Sequence, residues 1–218
     1  MELNTTFIII LITVGASIAA WNNESVMQKL IFSPTQITHH KQYYRLISSG
    51  VLHGDVGHLA FNMLTLYMFG SMVESSFALL FGTKGTLLYC LLYVTALVIS
   101  LLPTYFVHKH NSQYLGLGAS GAVSAIIFTG ILLFPTIGIG LFFIPIFIPG
   151  FIFGPIYLGL TYYLDKRGGG NINHSAHLYG ALYGIAFTIL MSYALTTVHL
   201  IPNCITEIKQ WLLSKGIG

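Results

Sequence analysis

Three stretches of this sequence carry polar side chains among neighbours that are almost all apolar. The first is Gly118-Ala119-Ser120-Gly121, where a hydroxyl sits at what reads as a helix start. The second places His58 and Asn62 four residues apart, hence on one helical face, with His53 and Asp55 just before them. The third places His174 and His177 three apart, followed by Gly180 and Gly184. A serine becomes a nucleophile when an imidazole takes its proton. Amide hydrolysis then needs donors aimed at the developing oxyanion, and helix-start N–H groups, an Asn amide and an imidazole all serve. Ser120 has flanking glycines that admit a close approach, and its own N–H is a free donor of the helix start. His177 is the base this spacing favours. Gly180 and Gly184 form a small-residue face, and Gly121 and Ser124 offer a matching smooth face on the helix of Ser120. His174 is the rival base, but it lies at the water boundary and lacks that glycine spacing. Neither run contains an Asp or Glu, so the inventory makes a Ser–His dyad.

The elements that must position these groups follow from composition. Of 218 residues, 7% are charged and 55% hydrophobic, with 15 Phe and 13 Tyr; ordinary soluble domains carry about 25% charged residues. Mean hydropathy is +0.77. So few charges cannot cover a soluble globule, which excludes a soluble enzyme, a disordered chain and a basic nucleic-acid binder. A spanning helix needs about 20 mostly apolar residues. Six such runs are expected, at about 5–21, 57–79, 86–106, 118–135, 139–163 and 174–197. Pro103 should end the third. The fourth is short, and Pro145, Pro149 and Pro155 should bend or break the fifth. Residues 22–55 form the longest polar connection and should fold against the membrane surface. An open loop is expected at Asp165–Gly170. The tail, 203–218, has Ile205, Ile208, Leu212 and Leu213 at helical spacing and suits an interfacial helix. These elements make an all-α, six-helix membrane bundle forming one domain over 1–218, with its core at about 42–197.

Other chemistries find less support. HSAH at 174–177 offers two metal ligands without a carboxylate partner, so no metal is expected. A transporter would need ionisable groups at mid-membrane on several helices, and here the acids are nearly all peripheral. Glu74 lies sixteen residues beyond His58, roughly 24 Å along a helix, and reads as a solvated or helix-end residue rather than a catalytic acid. Cys90 and Cys204 make no disulfide framework.

Taken in order, the motifs resemble those of rhomboid-family intramembrane serine proteases. They are HGDVGHLAFNM (53–63) with Phe69-Gly70 and Glu74 beyond it, GASGA (118–122), and AHLYGALYG (176–184); Tyr44-Arg45 is similar to the aromatic–arginine pair of the family's first loop. The resemblance implies Ser120 as nucleophile and His177 as general base. It implies His58 and Asn62 as oxyanion-stabilising groups, with His53 supporting the first loop's hydrogen bonds. Gly118 and Gly121 flank the serine, and Gly180 and Gly184 are the helix-packing glycines. One departure stands out. Four residues after the serine many members have a Tyr that packs on the histidine, and this chain has Ser124, so the base must be oriented some other way, for example by another aromatic such as Tyr179 or Tyr183.

The same resemblance implies transmembrane protein substrates within a lipid bilayer, no cofactor and no nucleic acid. The alternative is an inactive relative that binds transmembrane clients. The expected setting is a bacterial cytoplasmic (inner) membrane with the site toward the outer face. Charge argues the other way. Loops 22–55, 104–117 and 164–173 hold six of the nine basic side chains, which the positive-inside rule would keep in the cytoplasm. Lateral entry of substrate is expected beside the proline-rich fifth run, between it and the second.

Overall fold

The computed structural model describes residues 4–141, 144–168, 170 and 172–217, with the side chains of 141 and 144–146 outside that description. Among the described residues, three helical stretches are long and apolar enough to cross a membrane: Thr5–Asn22, Val56–His108 and His174–Leu195.

The first, α1 (Thr5–Asn22), turns its small polar residues inward: Thr6, Thr13, Ser17 and Ala20 are buried, whereas Ile8, Leu11, Ile12 and Ile18 are exposed. Hydrocarbon is an acceptable solvent for Ile and Leu but not for a hydroxyl, so the polar stripe seeks the protein. Its N-terminus is held by Glu74, which accepts from Thr5 N at 2.7 Å, Thr6 N at 2.9 Å and Thr6 Oγ1 at 2.8 Å. Glu74 is thus a helix-end residue, though the end belongs to another helix.

The long connection folds into α2 (Glu24–Leu30), α3 (Pro34–His40), α4 (Arg45–Ser48) and a 3-10 turn, Ser49–Val51. Arg45 is buried at its centre, donating to the carbonyls of Gln28 and Ile31 and to Gln42 Oε1. These acceptors explain how a guanidinium is tolerated there.

Next, α5 (Val56–Thr65) runs through a π-helical turn, Leu66–Gly70, into α6 (Ser71–Phe81). After a 3-10 turn at Gly82–Lys84, α7 (Gly85–His108) folds back, so that the rings of Phe77 and Tyr89 meet 6.5 Å apart. The helix continues past Pro103 to His108, beyond the expected end. A proline so near a C-terminus disturbs only the last turns.

The centre is α8 (Ser120–Leu133), buried on nearly every side. Its 14 residues span about 21 Å, well short of a hydrocarbon core of about 30 Å.

The fifth run departs from a single helix over 139–163. A hairpin of β1 (Gly138–Leu141) and β2 (Ile144–Pro149) precedes α9 (Gly150–Arg167), with Ile139 opposite Ile148 and Gly138 opposite Pro149. The all-α expectation therefore needs one two-stranded antiparallel sheet added. Pro145 and Pro149 disfavour a continuous helix, whereas β-branched Ile suits a strand. Asp165, Lys166 and Arg167, expected in a loop, form the last turn of α9; Gly169 lies outside the described residues. Then come α10 (His174–Leu195) and α11 (Leu200–Ser214), the latter on the polar tail.

Packing of α10 on α8 is backbone against backbone. A Cβ at Gly180 would run into the carbonyl of Gly121, and one at Gly184 into the carbonyl of Ala125. Gly121 faces the Ser100 hydroxyl of α7 in the same way. Below them Thr129 and Thr188 share a hydrogen bond of 3.0 Å between the two helices. Ser124, expected on this face, points instead toward α9.

Candidate functional site

Ser120 is the first residue of α8, so its N–H and that of Gly121 have no partner within the helix. The segment leading to it is fixed by the first loop. Phe32 and Gly116 exchange two backbone hydrogen bonds of 2.9 and 3.0 Å, and Gly118 N donates to the Ser49 carbonyl at 3.0 Å. Gly118 has φ +117°, a conformation that side chains rarely adopt. Its open Cα face is occupied by the ring of His58, 2.8 Å (Cε1) and 3.0 Å (Nε2) from where a Cβ would stand. One residue type satisfies both constraints.

His58 and Asn62 come from the first turns of α5, whose N-cap Asp55 accepts the His58 backbone N–H at 2.8 Å. Asn62 is buried and gives one amide hydrogen to the His58 carbonyl at 3.2 Å, which leaves its other hydrogen for a ligand. His177 lies one turn into α10. That helix is capped by Asn173, whose Oδ1 accepts from Ala176 N at 2.9 Å and from Thr104 Oγ1 at 3.1 Å.

These four side chains line one cavity of about 1220 Å³, whose walls come from α5, α7, α8, α9, α10 and the segment before Ser120. His174 lies at the same cavity, its ring 6.2 Å from that of His177. His108 and Tyr114, stacked 3.9 Å apart, add an aromatic wall. No hydrogen bond joins Ser120 to His177 among the described residues; in unliganded sites such bonds are often long. The arrangement offers a hydroxyl, imidazoles and an amide donor around one shared space.

His53 stands behind this wall. It is fully buried, its ring centroid 4.9 Å from that of His58. Nδ1 lies 3.1 Å from Ser17 Oγ, and the His53 carbonyl accepts from Trp21 Nε1 at 2.7 Å. Burial pushes the His53 imidazole down to about 4, with the neighbouring His58 adding to the effect and Asp55 opposing it.

Of the expected residues, Ser120, His177, His58 and Asn62 converge on the cavity together with Gly118 and Gly121, whereas Gly180 and Gly184 lie at the contact between α8 and α10. Neither aromatic proposed to replace the family tyrosine does so. Tyr179 is exposed, and Tyr183 donates its hydroxyl to Thr95 at 2.7 Å. The ring beside Ser124 is Tyr157 of α9, its hydroxyl 3.3 Å from Ser124 Oγ and its ring flanked by Phe128 and Phe153. Nothing in the local sequence marks Tyr157, since the contact joins helices 33 residues apart. Asn173 was more legible, as an N-cap residue three positions before Ala176.

Comparison with known proteins identifies the family. A family described as Rhomboid domain matches residues 40–194, a stretch that includes every side chain lining the cavity. RHOMBOID-like protein 12, mitochondrial, from Arabidopsis thaliana is 34% identical over 147 residues, covering 63% of this chain and 43% of that protein. The match thus spans less than half the length of that relative. With the match running through the motifs at 53–63, 118–122 and 176–184, the chain belongs to the rhomboid family.

Proposed function

We propose that this protein is an intramembrane serine endopeptidase that cleaves transmembrane protein substrates with a Ser120–His177 dyad. The observation that carries the reading is the shared cavity: Ser120 at a helix start, with His177, His58 and Asn62 around it. Ser120 Oγ attacks the scissile carbonyl as His177 takes its proton. The oxyanion is met by the Ser120 N–H, the free Asn62 amide hydrogen and His58. His177 then protonates the departing amine, which leaves an acyl-enzyme, and water activated by the same imidazole releases the second product. Water is available because the cavity is open, and α8 is too short to carry Ser120 to the membrane surface.

In this reading the chain crosses the membrane six times, through α1, the α5–α6 helix, α7, α8, α9 and α10. The cavity opens on the side of the loops around residues 104–117 and 164–173, the outer face in the orientation we propose, in a bacterial cytoplasmic membrane. Substrate enters between α5 and α9. Here Phe153 lies at the cavity and packs on Tyr157, whereas Ile152, Ile156 and Leu160 of α9 are exposed.

The test is labelling by a fluorophosphonate probe, paired with cleavage of a reporter transmembrane substrate. Both should occur in the purified protein and vanish in Ser120→Ala. An unlabelled, inactive wild-type protein that still binds transmembrane clients would be an inactive relative instead.

A further inference from the structure

The wall of the cavity is supported from behind by a side chain on α1 that lies outside every motif. Ser17 is fully buried, and its hydroxyl has two contacts: it donates to the Val51 carbonyl at 2.9 Å and lies 3.1 Å from Nδ1 of His53. A hydroxyl has one hydrogen to give. With that hydrogen on Val51, the second contact is an Nδ1–H of His53 donating to the Ser17 oxygen. Turning the hydroxyl toward His53 instead would strip the half-buried Val51 carbonyl of this donor, which partial burial makes costly. A neutral imidazole carries one N–H, so Nε2 of His53 is a bare acceptor. That nitrogen is buried and has no hydrogen-bond partner among the described residues. Its ring stands edge-to-face on His58, at 71°, and His58 fills the open face of Gly118 two residues before Ser120.

We propose that Ser17 is a positioning residue for the oxyanion side of the site: it locks His53 in the Nδ1–H tautomer, which keeps a fixed ring and a lone-pair acceptor beside His58. A hydrogen bond at one ring nitrogen selects the tautomer at the other. Trp21, one turn further along α1, holds the backbone of the same histidine. The lock depends on geometry alone, whereas its kinetic consequence rests on the endopeptidase reading above.

Two measurements on the full-length protein test it. In two-bond ¹H–¹⁵N spectra of histidine-labelled protein at neutral pH, the His53 signals are those lost in His53→Gln. They should show a protonated Nδ1 and an unprotonated Nε2, and Ser17→Ala should shift the population toward Nε2–H. On a reporter transmembrane substrate, Ser17→Ala should lower kcat about fivefold with KM nearly unchanged. An Nε2–H tautomer in the wild-type protein, which needs no change at residue 17, overturns the inference. So does a Ser17→Ala protein with unaltered tautomer and unaltered kcat. A wild-type protein that cleaves nothing, yet shows the tautomer and its loss in Ser17→Ala, upholds the lock and removes the endopeptidase reading instead.

Discussion

Gly180 of α10 lies against the carbonyl of Gly121 on α8 so closely that no β-carbon fits between them. This contact sets the distance between the two helices that bear Ser120 and His177. Gly180→Ala should therefore do two things at once. Forcing the helices apart should destabilise the fold by about 1–3 kcal/mol, the usual scale of overpacking, and should remove His177 from reach of Ser120. Thermal unfolding in detergent and fluorophosphonate labelling measure the two. A Gly180→Ala protein that unfolds and labels like wild type would show the contact to be yielding.

Ser120→Ala and His177→Ala should each abolish cleavage of a reporter transmembrane substrate while leaving the protein folded. Because the two act as one unit, the double variant should be no worse than either single one. His174→Ala should keep substantial activity, although His174 also faces the cavity. A dead His174→Ala beside an active His177→Ala would exchange the two roles.

Asn62→Ala should lower kcat with little change in KM. Losing one oxyanion donor commonly costs on the order of 10²–10³ in rate, and the convergence of His58 and the Ser120 N–H should make the loss smaller here. A change confined to KM would assign Asn62 to substrate binding.

Glu74 holds the first two backbone N–H groups of α1 together with the Thr6 hydroxyl, and Tyr89 in turn donates to Thr6 at 2.7 Å. Glu74→Ala should loosen α1 at its N-terminal end, at a cost of about 1–2 kcal/mol given partial exposure. Hydrogen exchange should rise first in the opening turn of α1. If exchange is unchanged there, these bonds contribute little to docking.

Phe153 lines the cavity and stacks on Tyr157, which lines it too, whereas Phe151, two residues earlier, packs on Trp211 of α11 with centroids 5.4 Å apart. Phe153→Ala should speed cleavage of transmembrane substrates, and a disulfide joining α5 to α9 should slow it, with fluorophosphonate labelling retained in both. Cleavage at the normal rate in the cross-linked protein would move the entrance elsewhere.

Much of the site was legible because its chemistry is written in short-range spacing. Four residues separate His58 from Asn62, and the glycines at 180 and 184 announce a close helix contact whatever their partner. The hairpin at 138–149 was not legible. A run of Ile, Phe and Leu satisfies strand and buried helix alike, and only Pro145 and Pro149 hinted at a break. Tyr157 escaped for a different reason: its partner, Ser124, is fixed by how α9 docks on α8, and one helix's periodicity says nothing of that. Glu74 could be read as a helix-end residue but not as the cap of a helix 68 residues earlier, since capping across the bundle leaves no mark on either segment.

The inward stripe of Thr6, Thr13, Ser17 and Ala20 makes α1 a key with a single correct rotation. Its outer surface of Ile and Leu is equally content against lipid in any orientation, so hydrocarbon offers no preference among rotations. Hydrogen bonds to Glu74, Val51 and His53 do, since a turn of about 100°, one residue around the helix, would carry the Thr6 and Ser17 hydroxyls away from their partners together. The helix can therefore insert as an ordinary apolar rod and still lock to its bundle in one register, with the lock closing on the histidine that stands behind the cavity of Ser120.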